Sequence, residues 1–95
     1  MKQGFVYIMS NSSDSALYIG VTNNLLRRVY EHKTGIGSKF VQKYKLLKLV
    51  YFELVDSIEV AIAREKQLKA GSRAKKDDLI LKMNPDKIDL YKTLL

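Results

Sequence analysis

The stretch YIGVTNNLLRRVYEH, residues 18–32, contains the point at which a strand-like run ends and a helix begins. Gly20 interrupts the strand-like run. Asn23 and Asn24 follow it, and their side-chain amides can accept hydrogen bonds from the first free backbone N–H groups of a helix. The stretch therefore predicts a strand, a turn and then a helix that starts near residue 24.

The predicted helix carries an arginine and a histidine on one ridge. At 100° per residue, Leu25 and Val29 point the same way, and Arg28 and His32 line one edge of this apolar stripe, one turn apart. The strand before the helix carries Tyr18. This arrangement indicates a functional site as well as a core.

Length and composition favour one folded domain that spans residues 1–95. The chain is 46% hydrophobic and has a single proline and no cysteine. Disulfides, thiolate nucleophiles and cysteine-based metal sites are excluded, which fits a reducing cytoplasm. The apolar runs are shorter than the roughly 18 to 20 residues that a membrane span requires. We therefore expect a soluble cytoplasmic protein without a membrane partner.

Positive charge is concentrated in two segments. The net charge is +7, and residues 27–48 hold seven Lys or Arg against Glu31 alone, while residues 64–76 hold six against Glu65. Such segments predict a polyanionic partner, most often nucleic acid; the alternative is a set of solvated helix faces. The residues that we predict to bind nucleic acid are Arg27, Lys33, Lys39, Lys43, Lys45, Lys69, Arg73, Lys75 and Lys76.

Three strand-like runs are visible, at residues 4–10, 16–22 and 46–54. The first two are so close in sequence that they predict an antiparallel hairpin, which brings Tyr7 near Tyr18. Two tyrosines on a hairpin are also ordinary packing residues. The third run is the most apolar, so we expect it to be the central strand.

The segment after the first helix mixes lysines with two aromatic residues. The helix is expected to cover about residues 24–34 and to end at Gly35. The following GIGSKFVQKYK predicts a loop or a short helix. Phe40 and Tyr44, four residues apart, either stack on bases among the lysines or form the buried side of one helical turn.

Two further helices are predicted in the second half. Asp56 or Ser57 caps a helix that runs to about residue 70, and Ser72 caps another at 73–83. The apolar stripe of the first of these is formed by Ile58, Ala61, Ile62 and Leu68. Glu65 projects from the middle of the stripe, where a carboxylate is costly unless it is paired with a cation or bound to a metal ion. The alternatives are a simple i, i+4 ion pair with Lys69 and an edge position that reaches solvent.

The candidate residues have a physical logic for phosphodiester hydrolysis. A lone carboxylate with water can hold one Mg²⁺, and an arginine can stabilise charge that develops on the phosphoryl group. A tyrosine near both cations is expected to have a pKa below its usual value of ~10 and to deprotonate the attacking water. There is no GxSxG, Walker-type or GxGxxG motif, and a single histidine disfavours His-rich zinc chemistry.

This pattern resembles the GIY-YIG nuclease superfamily, specifically its small stand-alone bacterial members. Tyr18-Ile19-Gly20 is the second half of the signature, and Phe5-Val6-Tyr7 is the first half, with phenylalanine at the namesake glycine. The segment VTNNLLRRVYEH is similar to the family's turn and arginine-bearing helix, and SRAKKDDLILKMNP to the closing segment of the small proteins. The resemblance covers about residues 4–91.

The resemblance implies a small three-stranded antiparallel sheet flanked by helices (α+β), with a metal-dependent nuclease site. It implies that Tyr7 or Tyr18 is the general base, with Tyr7 also shaping the site, that Arg28 stabilises the transition state and that His32 orients the tyrosine or the phosphate. Glu65 would bind Mg²⁺, with Mn²⁺ as a substitute. Asn84 is the candidate for a late asparagine of the family, or only a helix stop beside Pro85.

We therefore expect a metal-dependent endonuclease that nicks DNA, with RNA the less favoured substrate. The alternatives are a nucleic-acid-binding module with little cleavage, acting through partners in DNA repair or RNA metabolism, and a protein-docking domain without a nucleic-acid role.

Overall fold

A computed structural model describes residues 3–95, and three antiparallel strands lie at its centre. The strands are β1 (Gly4–Ser10), β2 (Leu17–Thr22) and β3 (Lys48–Val55). The helices are α1 (Leu25–Lys33), α2 (Lys39–Tyr44), α3 (Ile58–Ala70) and α4 (Arg73–Met83), followed by a 3₁₀ helix at Leu90–Leu94. The predicted fold class, a small three-stranded antiparallel sheet flanked by helices, is confirmed.

The hairpin prediction is confirmed, and the structure supplies its register. Strands β1 and β2 pair antiparallel, with Tyr7 opposite Gly20 and Met9 opposite Tyr18. Side chains alternate between the two faces of a strand, so Tyr7 and Met9 of β1 enter one core while Val6 and Ile8 enter the other. Tyr7 thereby faces the side of the sheet that α1 covers.

The prediction that the third strand is central was wrong. The order of the sheet is β2–β1–β3, so β1 is central and β3 is an edge strand. The outer edge of β3 is covered by the C-terminal segment. Asn84 donates from Nδ2 to the carbonyl oxygen of Val50, and Oδ1 of Asp89 accepts from the backbone N–H of Leu49. This cover explains how an edge strand can be so apolar, because a bare apolar edge would invite pairing with other chains.

The helix boundaries follow the capping residues closely. The side chains of Asn24, Ser57 and Ser72 each accept a hydrogen bond from the third residue of their helix, as expected of N-caps. Helix α3 ends at Gly71 as predicted. One member of its predicted apolar stripe is misplaced, because Ile62 is exposed to solvent while Ala61 and Leu68 are buried.

The segment after α1 forms a loop and the short helix α2. Val41 is its buried residue. Phe40 and Tyr44 are 46% and 43% exposed, so the interpretation of these two as the buried side of a helical turn was wrong. The alternative, two aromatic faces on the surface, is what the structure has.

No helix among residues 3–95 has the length and apolar character needed to span a membrane.

Gly20 is required by the close approach of Tyr7. A Cβ at Gly20 would lie 2.5 Å from Cζ of Tyr7, whose ring is buried and whose hydroxyl is hydrogen-bonded to His32. We expect Gly20→Ala to lower the free energy of unfolding by about 1–3 kcal/mol, the usual cost of overpacking. Urea denaturation measures this value. Gly71→Ala is the matched control, because its Cβ would approach no atom closer than 3.4 Å; an equal loss in both variants would contradict the prediction.

Candidate active site

A buried hydrogen bond between Tyr7 and His32 lies at the centre of the candidate site. The Tyr7 hydroxyl oxygen is 2.8 Å from Nε2 of His32, and both side chains are 1% exposed. The β1 strand supplies the tyrosine and α1 supplies the histidine, which follows Leu25 and Val29 on the buried stripe of that helix. Twenty-five residues of sequence therefore separate two groups that the fold brings into contact.

Tyr18 extends the site towards the surface. Its ring centroid is 6.3 Å from that of Tyr7 and 5.5 Å from that of His32, which it meets edge-on. Tyr18 is only half-buried, in contrast to Tyr7. The predicted proximity of the two hairpin tyrosines is thus present, and Tyr18 is the one that solvent can reach.

Arg28 lies near this cluster, and its guanidinium forms an ion pair with the carboxylate of Glu31. Its Nη1 donates to Oε1 of Glu31 at 3.1 Å, and its side chain is 30% exposed. A Cβ at Gly37, which has φ +146°, would be 3.5 Å from Nη1 of Arg28 and 3.2 Å from Nδ1 of His32. The backbone at Gly37 therefore lies against both catalytic candidates, where a larger residue would be crowded and strained.

The pKa of Tyr7 does not follow the expectation from sequence. Burial raises the pKa of Tyr7 to about 12; the Arg28 guanidinium opposes this shift, and the neighbouring Tyr18 and Glu65 reinforce it. The prediction of a lowered pKa was therefore wrong for Tyr7 in the protein alone, because desolvation outweighs the single nearby cation. The same interactions place Arg28, Tyr18 and Glu65 within electrostatic range of one phenol.

His32 is neutral at physiological pH. Burial lowers the pKa of His32 to about 4; the positive charge of Arg28 contributes, and Glu31 partly opposes the shift. Its Nδ1 is buried without a hydrogen-bond partner among the described residues. A neutral imidazole can accept a proton at one nitrogen only, so Nε2 is available to the Tyr7 hydroxyl when Nδ1 carries the proton.

The buried His32 makes the free energy of unfolding depend on pH between the folded and unfolded pKa values of its imidazole. Its pKa is about 4 in the folded protein and ~6.5 when unfolded, so the unfolded chain binds more protons between these values and stability falls as pH falls. We expect a loss of about 1.5 kcal/mol between about pH 6.5 and 5, measured by urea denaturation. The carboxyl groups of Asp14, Glu53 and Asp89 also have lowered pKa values, but their protonation reduces stability at a lower pH than that of His32.

The control is His32→Gln, which keeps a polar group near Tyr7 and does not titrate. Its stability should be nearly constant over the same interval. A wild-type protein with equally constant stability would show that His32 titrates normally.

Glu65 of α3 is the candidate metal ligand. Its carboxylate is 21% exposed and lies 3.4 Å from Nζ of Lys69, so the predicted i, i+4 pair is present. Helix α3 contacts β2, and Lys69 lines the same surface pocket as Tyr18. No three His, Asp or Glu side chains converge within residues 3–95. A half-buried single carboxylate fits Mg²⁺, which usually keeps several waters, and does not fit a cation that needs a full protein cage.

Asn84 is not brought to this cluster. Its Nδ2 donates to the carbonyl oxygens of Val50 and Ile88, and its Oδ1 accepts from the N–H of Ile88. It lies beyond β3, whereas Tyr18 is on β2 at the opposite edge of the sheet. The buried amide is fully used in holding the chain after α4 to β3, which supports the structural interpretation.

The predicted nucleic-acid-binding residues divide into three groups by their ion pairs. Lys33 forms an ion pair with Asp89, and Arg73 binds Asp77 and the backbone of the loop between β1 and β2. These two charges are engaged within the protein. The residues of the set for which the described chain shows no ion pair are Lys39, Lys43, Lys45, Lys75 and Lys76. Arg27 and Lys69 form the third group, in which each cation has an exposed i, i+4 ion pair. Phosphate contacts stay a prediction for all nine residues, and the second group has the charges most available for them.

Comparison with known proteins shows the family of this chain. Residues 3–78 match the sequence profile of the GIY-YIG catalytic domain. The chain belongs to the GIY-YIG family. GIY-YIG proteins form a nuclease family, so the residues assembled here, from the strands of the YIG hairpin and from α1 and α3, lie in a nuclease-type domain.

Relatives of similar size cover most of this GIY-YIG chain. A UPF0213 protein from Syntrophus aciditrophicus is 42% identical over 89 residues, which is 93% of this chain and all of the relative. One from Natronomonas pharaonis is 42% identical over 80% of this chain and 88% of its own length. The solution NMR structure of a UPF0213 protein from Bacillus halodurans has 31% identity and a TM-score of 0.51, with 82% of each chain covered.

Two residues that shape the site, Glu31 and Gly37, were not predicted from the sequence. Glu31 holds the Arg28 guanidinium, and the i, i+3 spacing on α1 was a signal that could have found it. Gly37, in the following loop, leaves free the space next to His32 and Arg28 that a Cβ would enter. No pattern in the sequence predicts that Gly37 lies near these two side chains, because its position depends on the path of the loop after α1.

Proposed function

We propose that this chain is a metal-dependent endonuclease that hydrolyses phosphodiester bonds in DNA, with RNA as a less favoured substrate. The observation that carries the proposal is the buried Tyr7–His32 hydrogen bond, with the Tyr18 ring next to it and with Arg28 and Glu65 within electrostatic range of Tyr7. Four separate elements, β1, β2, α1 and α3, contribute these side chains. A buried polar pair is costly to maintain for packing alone, and at the edge of a cationic surface it suits acid–base chemistry.

The Tyr7–His32 pair supports removal of a proton from the attacking water. A free phenolate of Tyr7 is disfavoured because burial raises the pKa of Tyr7 to about 12. A relay avoids that species. The water gives its proton to the Tyr7 hydroxyl oxygen while Tyr7 passes its own proton to Nε2 of His32, 2.8 Å away. Tyr18, half-buried and adjacent, orients the water or replaces Tyr7 as the base.

Arg28 and Glu65 act on the phosphate side of the reaction. The guanidinium of Arg28, held by Glu31, stabilises the negative charge that develops on the phosphoryl oxygens. Glu65 would hold the divalent ion, Mg²⁺ or Mn²⁺, together with water. When bound, that ion supplies charge neutralisation at a phosphate oxygen and at the leaving alkoxide. One such site per chain cuts one strand per encounter, so nicking is the expected product.

A second candidate function is binding of nucleic acid with little cleavage. The observation that favours it is the pairing of Glu65 with Lys69 at 3.4 Å, because an ammonium group competes with a metal ion for the same carboxylate. The basic surface would then hold nucleic acid for partner proteins that act on it.

Cleavage of supercoiled plasmid and of a branched DNA tests the proposal. With Mg²⁺ or Mn²⁺ we expect conversion to the nicked form, and none with EDTA. Binding should weaken steeply with salt, because the lysine contacts release counterions from the phosphates. Binding without cleavage in every metal would select the second candidate, and no retention of DNA or RNA at low salt would exclude both.

A further inference from the structure

We propose that an unpaired nucleic-acid strand enters the candidate active site over an aromatic row made of Tyr18, Phe40 and Tyr44, with bases stacking on Phe40 and Tyr44. The centroid of Phe40 is 6.3 Å from that of Tyr18 and 4.7 Å from that of Tyr44. The row therefore starts at a site tyrosine and continues without a gap onto the surface of α2. The cleavage part of this inference rests on the proposed function, whereas the binding part does not.

The two outer rings are exposed large side chains that do not anchor their helix in the core. Helix α2 is six residues long, and Val41 is the residue that anchors it in the core. Phe40 and Tyr44, both more than two-fifths exposed, present ring area to solvent on one side of this short helix. Exposed aromatic faces in a row suit stacking with bases, which is tolerant of sequence because every base has a π face.

The surroundings of the row are cationic. No Asp or Glu occurs between Glu31 and Glu53, a stretch that contains five lysines. Tyr18 and Phe40 share a pocket of about 310 Å³ with Lys69 and Lys76, and Tyr44 lines a neighbouring cavity of about 750 Å³ with Lys43 and Lys45. Rings flanked by ammonium groups on both sides complement a strand that alternates bases with phosphates.

The geometry favours an unpaired strand over a duplex. In a duplex each base is stacked between its neighbours and offers only its edges in the grooves. Ring faces on α2 can be covered only by bases that have left the stack. The strand that reaches Tyr18 is therefore unpaired on the α2 side of the cut.

Fluorescence anisotropy in EDTA tests the binding step without cleavage. The probes are an oligothymidylate of about 15 nucleotides, a strand of the same length in which abasic sites replace the thymidines, and a duplex of the same length. The abasic strand keeps every phosphate and removes only the bases. We expect the wild type to bind oligothymidylate about tenfold or more tightly than either the abasic strand or the duplex.

The variants isolate the rings. Combined Phe40→Ala and Tyr44→Ala should remove the preference for oligothymidylate over the abasic strand, while Tyr44→Phe should keep it. Tyr30→Ala is the matched control, because Tyr30 is an exposed tyrosine of α1 outside the row, and it should leave the preference unchanged. Thermal melting checks that the variants are folded; if the double variant is not, Phe40→Leu with Tyr44→Leu repeats the test.

Equal binding of the three probes by the wild type, or an undiminished preference in the folded double variant, would overturn the proposal. An oligouridylate probe distinguishes DNA from RNA as the source of the strand. The same probes with Mg²⁺ separate the two proposals. If the protein prefers oligothymidylate but cleaves no probe, the stacking surface is supported and the endonuclease proposal is contradicted. If it cuts duplex and single strand alike and shows no preference in binding, the endonuclease proposal is supported and the stacking surface is contradicted.

Discussion

Arg28→Ala is expected to reduce the rate of metal-dependent phosphodiester cleavage by about 10²- to 10³-fold, the effect of removing one preorganised donor from a developing negative charge. The guanidinium is held by Glu31 and lies within electrostatic range of Tyr7, so it is already in place before the substrate arrives. Its loss should lower kcat and kcat/KM together, because the interaction strengthens only as charge develops. Plasmid nicking followed under single-turnover conditions measures the change.

Arg27→Ala is the matched control for this prediction. The two arginines are neighbours on α1, but the Arg27 side chain is 61% exposed, twice the exposed fraction of Arg28. Its removal should weaken binding modestly and reduce the salt dependence by about one phosphate contact, with kcat preserved. Arg28→Lys should not restore activity fully, because an ammonium group lacks the planar fork of the guanidinium. Equal losses of kcat in Arg27→Ala and Arg28→Ala would contradict a specific role of Arg28 in stabilising the transition state.

Local signals explain why the helices could be predicted from sequence. Asn24, Ser57 and Ser72 cap helices through hydrogen bonds to residues three positions away, so each start is encoded within four residues. Strand order is different. The cover on β3 comes from Asn84 and Asp89, 34 and 40 residues from their partners, and no local pattern distinguishes a covered edge strand from a central one.

The proximity of several candidate residues was easier to predict from sequence than their pKa values. Helical spacing placed Arg28 and His32 on one ridge, and the hairpin brought Tyr7 near Tyr18. The direction of the Tyr7 pKa shift depends on burial that only the tertiary structure provides. Similarly, Lys33 was assigned to nucleic acid from charge alone, whereas its partner Asp89 is 56 residues away.

Glu65→Gln is expected to lower metal-dependent cleavage by at least about two orders of magnitude, because a neutral amide of the same shape holds a divalent cation poorly and the ion supplies several kcal/mol of charge stabilisation. The fold should be unaffected. Glu65 is at the surface of α3, and its pair with Lys69 is a half-exposed i, i+4 pair worth about 0.3–0.5 kcal/mol. Nicking assays across a titration of Mg²⁺ and Mn²⁺ measure the loss.

Metal binding can be measured separately from activity, which makes the role of Glu65 testable on its own. A ligand at 100 times its Kd stabilises the folded state by about 2.7 kcal/mol, so Mg²⁺ should raise the Tm of the wild type and leave that of Glu65→Gln unchanged. Glu59→Gln is the matched control, since Glu59 is an exposed carboxylate in the first turn of the same helix. If Glu65→Gln retained both the Tm shift and the cleavage, the carboxylate would belong to the ion pair with Lys69 alone, and the metal would require another ligand.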